Sequence, residues 1–436
     1  MGRFRPTTKA QVSGHRFLWR RVEHGLVMGD IRMIHDPLVG RRRALFFGII
    51  AVVLVSLGAG VLAWLQPDPR PGEAPIVRSA GDQLFVRVGD TYHPVANLTS
   101  ARIITGEPTN PVSVGKSTMA AASFGPPVGI TDAPGYLAEA TALADAPGNH
   151  WAVCRSELNY EEAETIVRSD DSGIERGLGP GYAALVEDED GKEWLVDETG
   201  RTPLPGPDNL LGRGLRRGLD ITPDTPRWQV PSEFLNVLNE KPAFNVPDPL
   251  PEVWEADDGT TWARSDNGVM AIETAQARVL TAAGAPMRPV RSSEPAALDD
   301  APLHLNLPAE PLTMLDREDG WLCATGEGGA ASMVPTGSVR LSGTAIADRF
   351  AGLDTGAIAV NTGHSVHVVS AMGQRHLLPE PGVLAALGLT PSETNGSDGS
   401  AEPDVVSSLA SAPWDIVRLL PEGSVLDRDR ALEATY

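Results

Sequence analysis

The stretch "TWARSDNGVMAIETAQARVLTAAG", residues 261–284, carries the pattern that decides the fold of most of this chain. Asn267-Gly268 lies between two runs in which apolar and polar residues alternate, and this dipeptide favours the tight turn of a β-hairpin. The apolar residues that follow are spaced for a short helix that ends near Gly284. The stretch therefore predicts a small module of strand, turn, strand and helix.

Three further stretches repeat this order of features. They are "LFVRVGDTYHPVANLTSARIITG" (84–106), "EWLVDETGRTPLPGPDNLLGRGLRRGLDI" (193–221) and "HVVSAMGQRHLLPEPGVLAALGL" (367–389). Their turns are predicted at Gly89-Asp90, at Thr199-Gly200 and near Met372-Gly373. Modules this small cannot bury their apolar faces alone, so we expect them to pack on one another or on a common core.

Short β-like runs between the modules are the candidates for that core. They are "WAVCRSEL" (151–158), "GYAALVEDEDGKEWLV" (181–196), "PLHLNLPAEPLTML" (302–315), "GWLCATG" (320–326) and "ASMVPTGSVRL" (331–341). The predicted boundaries are 81–136, 193–245 and 246–300 for the first three repeats and 356–436 for the fourth repeat with a C-terminal tail, and core parts are predicted at 137–192 and 301–355. The Gly/Ser/Asp-rich "TNGSDGSAEPD" (394–404) predicts a loop inserted in the fourth repeat.

The run "ALFFGIIAVVLVSLGAGVLAWL", residues 44–65, has no ionisable side chain and is long enough to cross a bilayer. The alternative is a cleaved signal peptide, which needs a short basic head, a shorter apolar run and a small-x-small cleavage site. This chain has none of the three, so the run predicts a permanent transmembrane helix. Arg41, Arg42 and Arg43 precede it, which by the positive-inside rule places residues 1–43 in the cytoplasm. The Pro-rich residues 66–80 predict a linker to a domain outside the membrane.

The net charge of −21 is unevenly distributed along the chain. Residues 1–43 hold ten of the 36 Lys and Arg but only three of the 57 Asp and Glu. The remainder therefore has 26 basic and 54 acidic residues, a net charge of −28. So acidic a surface repels phosphate backbones, and we expect no nucleic-acid partner.

Cys154 and Cys323 are the only cysteines, and both lie in the part predicted to be exported. An even pair in an oxidising compartment predicts a disulfide. Two separate buried thiols are the alternative.

The segment "HRFLWRRVEHGLVMGD" (15–30) predicts an amphipathic helix ahead of the membrane run. Phe17, Leu18, Val22 and Leu26 recur near the helical period and leave a basic face. Such a helix either lies on an anionic membrane surface or docks on a partner protein, and both can hold.

"NPVSVGKSTMA" (110–120) ends like the phosphate-binding motif G-x-x-x-x-G-K-[ST]. Its first glycine is replaced by Asn110, and Pro111 removes an N–H from the phosphate cradle. Aligned with "VPSEFLNVLNEKP" (230–242) and "APWDIVRLLPEG" (412–423), Gly115 coincides with Pro231 and Pro413, which predicts the start of a short helix. We therefore assign no catalytic or cofactor-binding residue and keep ATP binding as an alternative.

We also expect no metal site. His364 and His367 lie three apart near a predicted strand and so face opposite sides, which favours a surface or strand-edge role. The acidic stretch "VEDEDGKEWLVD" (186–197) lacks a carboxylate at the first position of a calcium loop, which favours a hairpin tip at Asp190-Gly191.

The stretch "TTKAQVSGHRFLWRRVEHGLVMGDIRMIHDPLVGRRRAL" (7–45) closely resembles the cytoplasmic N-terminus of the EccB family, a membrane component of actinobacterial type VII (ESX) secretion systems. "GPPVGITDAPG" (125–135) and "VRLLPEGSVLDRDRAL" (417–432) also look like that family. The resemblance implies a single-pass inner-membrane subunit that assembles with the motor ATPase EccC and with EccD and EccE. It further implies a periplasmic domain of four repeats around a β-rich core, with a disulfide pair that Cys154 and Cys323 match.

The expected fold is α+β: a cytoplasmic amphipathic helix, one transmembrane helix, and an external β-rich core with four small αβ modules. The expected function is that of a structural subunit that anchors the secretion complex and pairs with copies of itself through its external domain. The resemblance favours docking of the N-terminal helix on EccD or EccC. One alternative is an ATPase, an activity attributed to some family members. Another is a cell-wall-binding module that holds glycan on exposed Tyr and Trp side chains.

Overall fold

The computed structural model describes residues 8–29, 37–65, 71–135, 137, 151–156, 163–169, 178–332, 337–353, 356–389 and 409–435. These belong to two units, Met1–Arg70 and Pro71–Tyr436. The loop predicted at 394–404 lies outside the described residues.

The first unit contains two helices, α1 (Lys9–Met28) and α2 (Pro37–Leu65). The start of α1 is fixed by a capping box, in which the Thr8 amide donates to Gln11 Oε1 at 3.0 Å. Its end is fixed by Gly29, whose left-handed backbone lets its amide reach the Gly25 carbonyl. Both ends of α1 therefore follow from local sequence.

The second unit contains four modules that share one chain path, in which three antiparallel strands are followed by a helix and then by a fourth strand. Module 1 comprises β1 (Ile76–Arg78), β2 (Leu84–Val88), β3 (Thr91–Pro94), α3 (Leu98–Thr105), β4 (Val112–Ser113), α4 (Lys116–Ala120) and β5 (Ser123–Phe124). Module 2 comprises β8 (Tyr182–Glu187), β9 (Glu193–Asp197), β10 (Gly200–Pro203), α5 (Leu210–Gly218), β11 (Arg227–Gln229) and α6 (Ser232–Val237). Module 3 comprises β12 (Glu252–Ala256), β13 (Thr261–Ser265), β14 (Gly268–Ile272), α7 (Thr274–Ala282) and β15 (Met287–Val290). Module 4 comprises β21 (Ala357–Asn361), β22 (Val366–Ser370), β23 (Arg375–Leu378), α8 (Pro381–Ala386), β24 (Ala410–Ser411) and α9 (Trp414–Val417), and α10 (Arg428–Leu432) follows it.

In every module the fourth strand lies beside the first and runs parallel to it. The helix packs on the sheet because alternate strand residues are apolar. In module 3, for example, Val253, Ala263 and Ile272 form one cluster with Val279 and Leu280 of α7. The α+β class is thereby confirmed.

The first strand of each module was not part of the predicted pattern. β1 falls in the stretch predicted as linker (66–80), and β8 falls in the predicted core part (137–192). β8 is buried at four consecutive positions because it is an inner strand of the sheet of module 2, between β9 and β11. The strand β16 (Thr313–Met314), also predicted as core, pairs with β8 in the sheet of module 2.

Glycine is needed at positions 200 and 268 for a reason other than the turns predicted there. Each opens the strand after the turn, with φ of +145° and +148°. A Cβ on them would lie 2.2 Å from the Asn239 carbonyl oxygen and 2.1 Å from the Asp299 carbonyl oxygen. Glycine is required because the segment that follows the module crosses here, directly against the backbone.

The central sheet is a fifth sheet that runs β18–β17–β6–β7–β20–β19. Its strands are β6 (Ala152–Ser156), β7 (Glu164–Arg168), β17 (Trp321–Thr325), β18 (Gly329–Ser332), β19 (Val339–Arg340) and β20 (Arg349–Ala351). One apolar cluster joins this sheet to modules 2 and 4. The predicted β-rich core is therefore present, in the runs that contain the two cysteines.

The modules pack in pairs. One apolar cluster joins module 2 to module 3, and another joins module 1 to module 4. The first pair is tied by reciprocal backbone hydrogen bonds between Asn245 and Asn306, at 3.1 and 3.0 Å. The sequence contains a signal for this tie, since "FNVP" (244–247) and "LNLP" (305–308) follow modules 2 and 3 at equivalent places.

Candidate functional site

Cys154 and Cys323 are joined by a disulfide at the centre of the second unit. They lie directly opposite each other on the antiparallel strands β6 and β17, with Cα atoms 3.9 Å apart, and both are fully buried. The bond closes a sequence separation of 169 residues. It thereby links the strand that enters the core after module 1 to the strand that returns after module 3.

The helix α1 exposes an apolar stripe. Val12, Trp19 and Leu26 recur every seven residues, and Val22 lies between the last two on the same face. All four side chains are at least 42% exposed. His15 lies on the same face, so the stripe is apolar except at that residue. The seven-residue repeat of Val12, Trp19 and Leu26 is a sequence signal that the predicted docking residues did not include.

Phe17 does not belong to this stripe. At about 100° per residue, Phe17 lies about 180° from Leu26 around the helix, whereas Leu18, Val22 and Leu26 share a side. Phe17 instead lies between Arg20 and Arg21 on the basic side. Helix geometry therefore separates one of the four predicted docking residues from the other three.

Within α2, the stretch Arg43–Leu62 is long and apolar enough to cross a membrane, and none of it is buried in protein. Arg43 is exposed at its start, and Trp64 is exposed near its end. Arg41 and Arg42 belong to the same helix, but their side chains lie outside the described residues.

The stretch that resembles a phosphate-binding loop forms β4 and the five-residue helix α4. Asn110, in place of the motif's first glycine, accepts a hydrogen bond from Arg102 Nη2 at 3.0 Å. Gly115 caps α4 in an extended conformation, and the Lys116 side chain is exposed. Pro231 and Pro413 cap α6 and α9 with similar backbone angles, so the predicted equivalence of these three residues is confirmed. The stretch is one of three equivalent helix starts, and prolines occupy this position in the other two.

The acidic stretch near Asp188 is a hairpin tip, as predicted. Asp188 accepts hydrogen bonds from the amides of Asp190 and Lys192 and from the Trp194 indole at 2.9 Å. Burial alone would raise the pKa of Asp188, but the hydrogen bonds from Trp194 and Lys192 outweigh it and keep the pKa below its usual value. The Asp188 carboxylate therefore stabilises the turn.

One prediction about side-chain exposure is wrong. His367 was expected at the surface, but it is 2% exposed and stacks on Trp414 because its strand is covered on both faces. Five tryptophans of the second unit are buried and so are not available to the glycan-binding alternative: Trp151, Trp194, Trp228, Trp254 and Trp321.

A groove of about 500 Å³ lies between residues 341–346 and module 4 and is lined by three arginines. Each guanidinium already faces a carboxylate. The pairs are Arg340 with Glu164 at 3.3 Å, Arg375 with Glu422 at 3.2 Å and Arg418 with Asp415 at 3.4 Å. The positive charge of the groove is thereby largely neutralised within the chain.

Comparison with known proteins links this arrangement to one family. The sequence model of the family described as "Type VII secretion system ESX-1, transport TM domain B" matches residues 4–257. The chain is similar to "ESX-1 secretion system ATPase EccB1" of Mycobacterium tuberculosis, with 29% identity over 98% of this chain and 95% of the relative. It is also similar to "ESX-3 secretion system ATPase EccB3" of that organism, with 33% identity over 55% of this chain and 45% of the relative.

Solved structures share the fold. A chain of "an intact ESX-5 inner membrane complex" matches all of this chain with a TM-score of 0.65 and 24% identity, and 97% of that chain is covered. A chain of the "EccB3 dimer from the ESX-3 core complex" matches 83% of this chain with a TM-score of 0.62 and 23% identity, and all of that chain is covered. The match to the family model over more than half of the sequence shows that this chain belongs to the EccB family of type VII (ESX) secretion systems.

Proposed function

We propose that this chain is a structural subunit of a type VII secretion complex in the inner membrane. The observation that carries the proposal is the similarity to EccB1 along 98% of the chain, which includes the apolar helix and all four modules. A relative of known structure belongs to an inner membrane complex. On this proposal α2 anchors the subunit, and the second unit pairs it with other copies.

The proposed topology places α1 in the cytoplasm and the second unit in the periplasm. Arg41, Arg42 and Arg43 at the N-terminal end of the apolar stretch support this orientation. The disulfide supports it too, because such bonds persist in oxidising compartments.

Thiol labelling tests the topology. A Cys introduced at the exposed Ser13 of α1 should react with a membrane-impermeant maleimide only after permeabilisation of spheroplasts. A Cys at the exposed Glu255 should react in intact spheroplasts. The native cysteines are bonded and buried, so they give no background. The reverse labelling pattern would contradict the proposed orientation.

The apolar stripe of α1 is the proposed docking surface for the cytoplasmic parts of EccC-like or EccD-like subunits, and an EccE-like subunit is a further proposed partner in the complex. Its exposed Trp19 and Leu26 support this role, since such a surface is costly to leave in water. Pairing of the second unit with a further copy of the chain is supported by the solved relative described as an EccB3 dimer.

ATP hydrolysis is the second candidate function, because the relatives are named ATPases. The test is turnover by the full chain in detergent, compared with a Lys116→Ala variant. We expect no turnover above that of a mock preparation, because Lys116 opens a five-residue helix. Turnover that Lys116→Ala abolishes would establish the ATPase instead, whereas turnover that it leaves unchanged would indicate a contaminant.

A further inference from the structure

Modules 1 and 4 each carry a histidine in the third strand that packs on a glycine in the segment that returns after the module. A Cβ on Gly125 would lie 2.2 Å from Cε1 of His93, and a Cβ on Gly423 would lie 2.3 Å from Cε1 of His376. The Nδ1 atoms approach carbonyl oxygens in those segments at 3.0 and 2.9 Å. The two sites differ in burial, since His93 is partly exposed and His376 is fully buried.

The hydrogen bond of His376 defines which nitrogen carries the hydrogen in the neutral ring. The Ser424 carbonyl can only accept, so Nδ1 of His376 carries the hydrogen and Nε2 is an unprotonated nitrogen. Within the described part of the chain, Nε2 has no hydrogen-bond partner. A proton added there would create a buried N–H without an acceptor, and burial accordingly lowers the pKa of His376.

Few charged groups surround this ring. The hydrogen bond to Ser424 and, more weakly, the Asp132 carboxylate from the segment after module 1 both favour the protonated form, and they only partly offset burial. On the other face of the same sheet, His367 lies near Arg375 and Glu422. Burial and the Arg375 charge lower the pKa of His367, so it also resists protonation.

Ser424 is one of the points at which modules 4 and 1 are tied together. Its carbonyl accepts from His376, and its amide donates to Asp132 Oδ2 at 2.8 Å. Beyond it, α10 packs on α3 of module 1, and the Thr435 amide donates to the Pro127 carbonyl at 2.9 Å. The C-terminal segment therefore reaches module 1 through this residue.

We propose that His376 is an acid-sensitive latch between modules 1 and 4. When it takes up a proton from solvent at Nε2, the ring leaves its buried site and the hydrogen bond to Ser424 is lost. The C-terminal segment then loosens from module 1. The tie between modules 2 and 3 uses the backbones of Asn245 and Asn306, which do not titrate, and it stays closed.

Hydrogen–deuterium exchange of the full chain in detergent micelles, from pH 7.5 to 5.0 and corrected for the intrinsic exchange rate, tests the latch. As the pH falls below the ordinary histidine pKa of 6.5, peptides covering 98–105, 128–135 and 426–435 should lose protection, by up to about tenfold per pH unit. Peptides covering 240–250 and 300–312 should keep theirs. Equal loss from both module pairs, or no loss, would overturn the latch.

The variant His376→Gln assigns the effect to this residue. Its amide can still donate to the Ser424 carbonyl but cannot be protonated, so protection of the three peptides should no longer depend on pH. The exposed His364 is the matched control, and His364→Gln should behave like the unaltered chain. A pH-dependent loss that persists in His376→Gln would overturn the proposal. If that variant does not fold, the unaltered chain provides the test. The NMR resonance of the His376 imidazole should then titrate at the same pH midpoint as the loss of protection, and a different midpoint would overturn the proposal.

Discussion

At the scale of single residues, close backbone approach explains glycines that the sequence pattern alone does not. Gly218 of α5 faces α7, and a Cβ there would lie 2.5 Å from Cγ2 and 2.7 Å from Cα of Val279. The crossing of α5 and α7 at this point joins modules 2 and 3. A sequence shows that a glycine is present, but not which helix passes over it, so this contact could not be predicted.

We expect Gly218→Ala to lower the free energy of unfolding by about 1–3 kcal/mol, because Val279 would have to move at its backbone. Gly206→Ala is the matched control, since a Cβ there meets nothing within 4 Å. Denaturant titration of both variants measures the difference. Equal stabilities of the two variants would show that α7 can accommodate a methyl group at position 218, which would contradict this prediction.

The disulfide also acts at the residue scale. Replacing Cys154 and Cys323 together by Ala should lower the free energy of unfolding by up to about 5 kcal/mol, since the bond closes a long loop in the unfolded chain. Denaturant titration of the double variant and of the unaltered chain, each with and without reductant, measures this. Reductant should lower the unfolding midpoint of the unaltered chain, because unfolding exposes the disulfide to reduction. It should leave the midpoint of the double variant unchanged. An unaltered midpoint in the double variant would contradict the estimate.

At the scale of elements, the hairpins and helices of the modules were predictable because their signals are local. Turn residues, alternation and the equivalence of Gly115, Pro231 and Pro413 all lie within short windows. The strand β1 lies in the stretch predicted as linker, and β8 lies in a run that was predicted to be β but was assigned to the core instead of to module 2. Their pairing with distant strands is set by tertiary packing, which no local window contains.

Module 2 is held by an ion cluster whose pH response can be measured. Glu193 of β9 pairs with Arg216 of α5 and, at 2.8 Å, with Arg227 of β11. Burial alone would raise the pKa of Glu193, but hydrogen bonds from both arginines outweigh it and lower the pKa below its ordinary value of 4.5. The stabilisation is therefore complete above pH 4.5 and is lost as the pH falls through the lowered pKa. Glu193→Gln should cost about 2–3 kcal/mol at pH 7, and its unfolding free energy should approach that of the unaltered chain towards pH 3. If the unfolding free energies of the two chains differed by the same amount at every pH, this prediction would be contradicted.

The stripe on α1 makes a further prediction at the element scale. Leu26→Glu places a charge in the proposed docking surface and should remove most of the cytoplasmic partners that co-purify with the chain. Phe17→Glu is the matched control, because Phe17 lies on the opposite side of the helix and should leave them bound. Quantitative mass analysis of the purified material measures both. Equal loss in the two variants, or none in either, would show that the stripe is not the docking surface.

At the scale of the whole molecule, the sequence predicted one apolar helix, four modules and a β-rich core that holds both cysteines. It did not predict that modules 2 and 3, and modules 1 and 4, form two pairs. That pairing depends on contacts such as Asn245 with Asn306, which lie 61 positions apart in the chain. The short sequences "FNVP" and "LNLP" mark the two asparagines but do not show that they pair with each other.

The measurement that tests the central claim most directly is the mass of the assembly that contains this chain after extraction from native membranes in mild detergent. The full chain, tagged at its C-terminus and purified without crosslinking, would be weighed by native mass spectrometry and its companions identified. A subunit of a secretion complex should be recovered in a large assembly with more than one copy of itself and with EccC-like and EccD-like proteins. Recovery of the chain only as a monomer, from membranes that contain those proteins, would contradict the account.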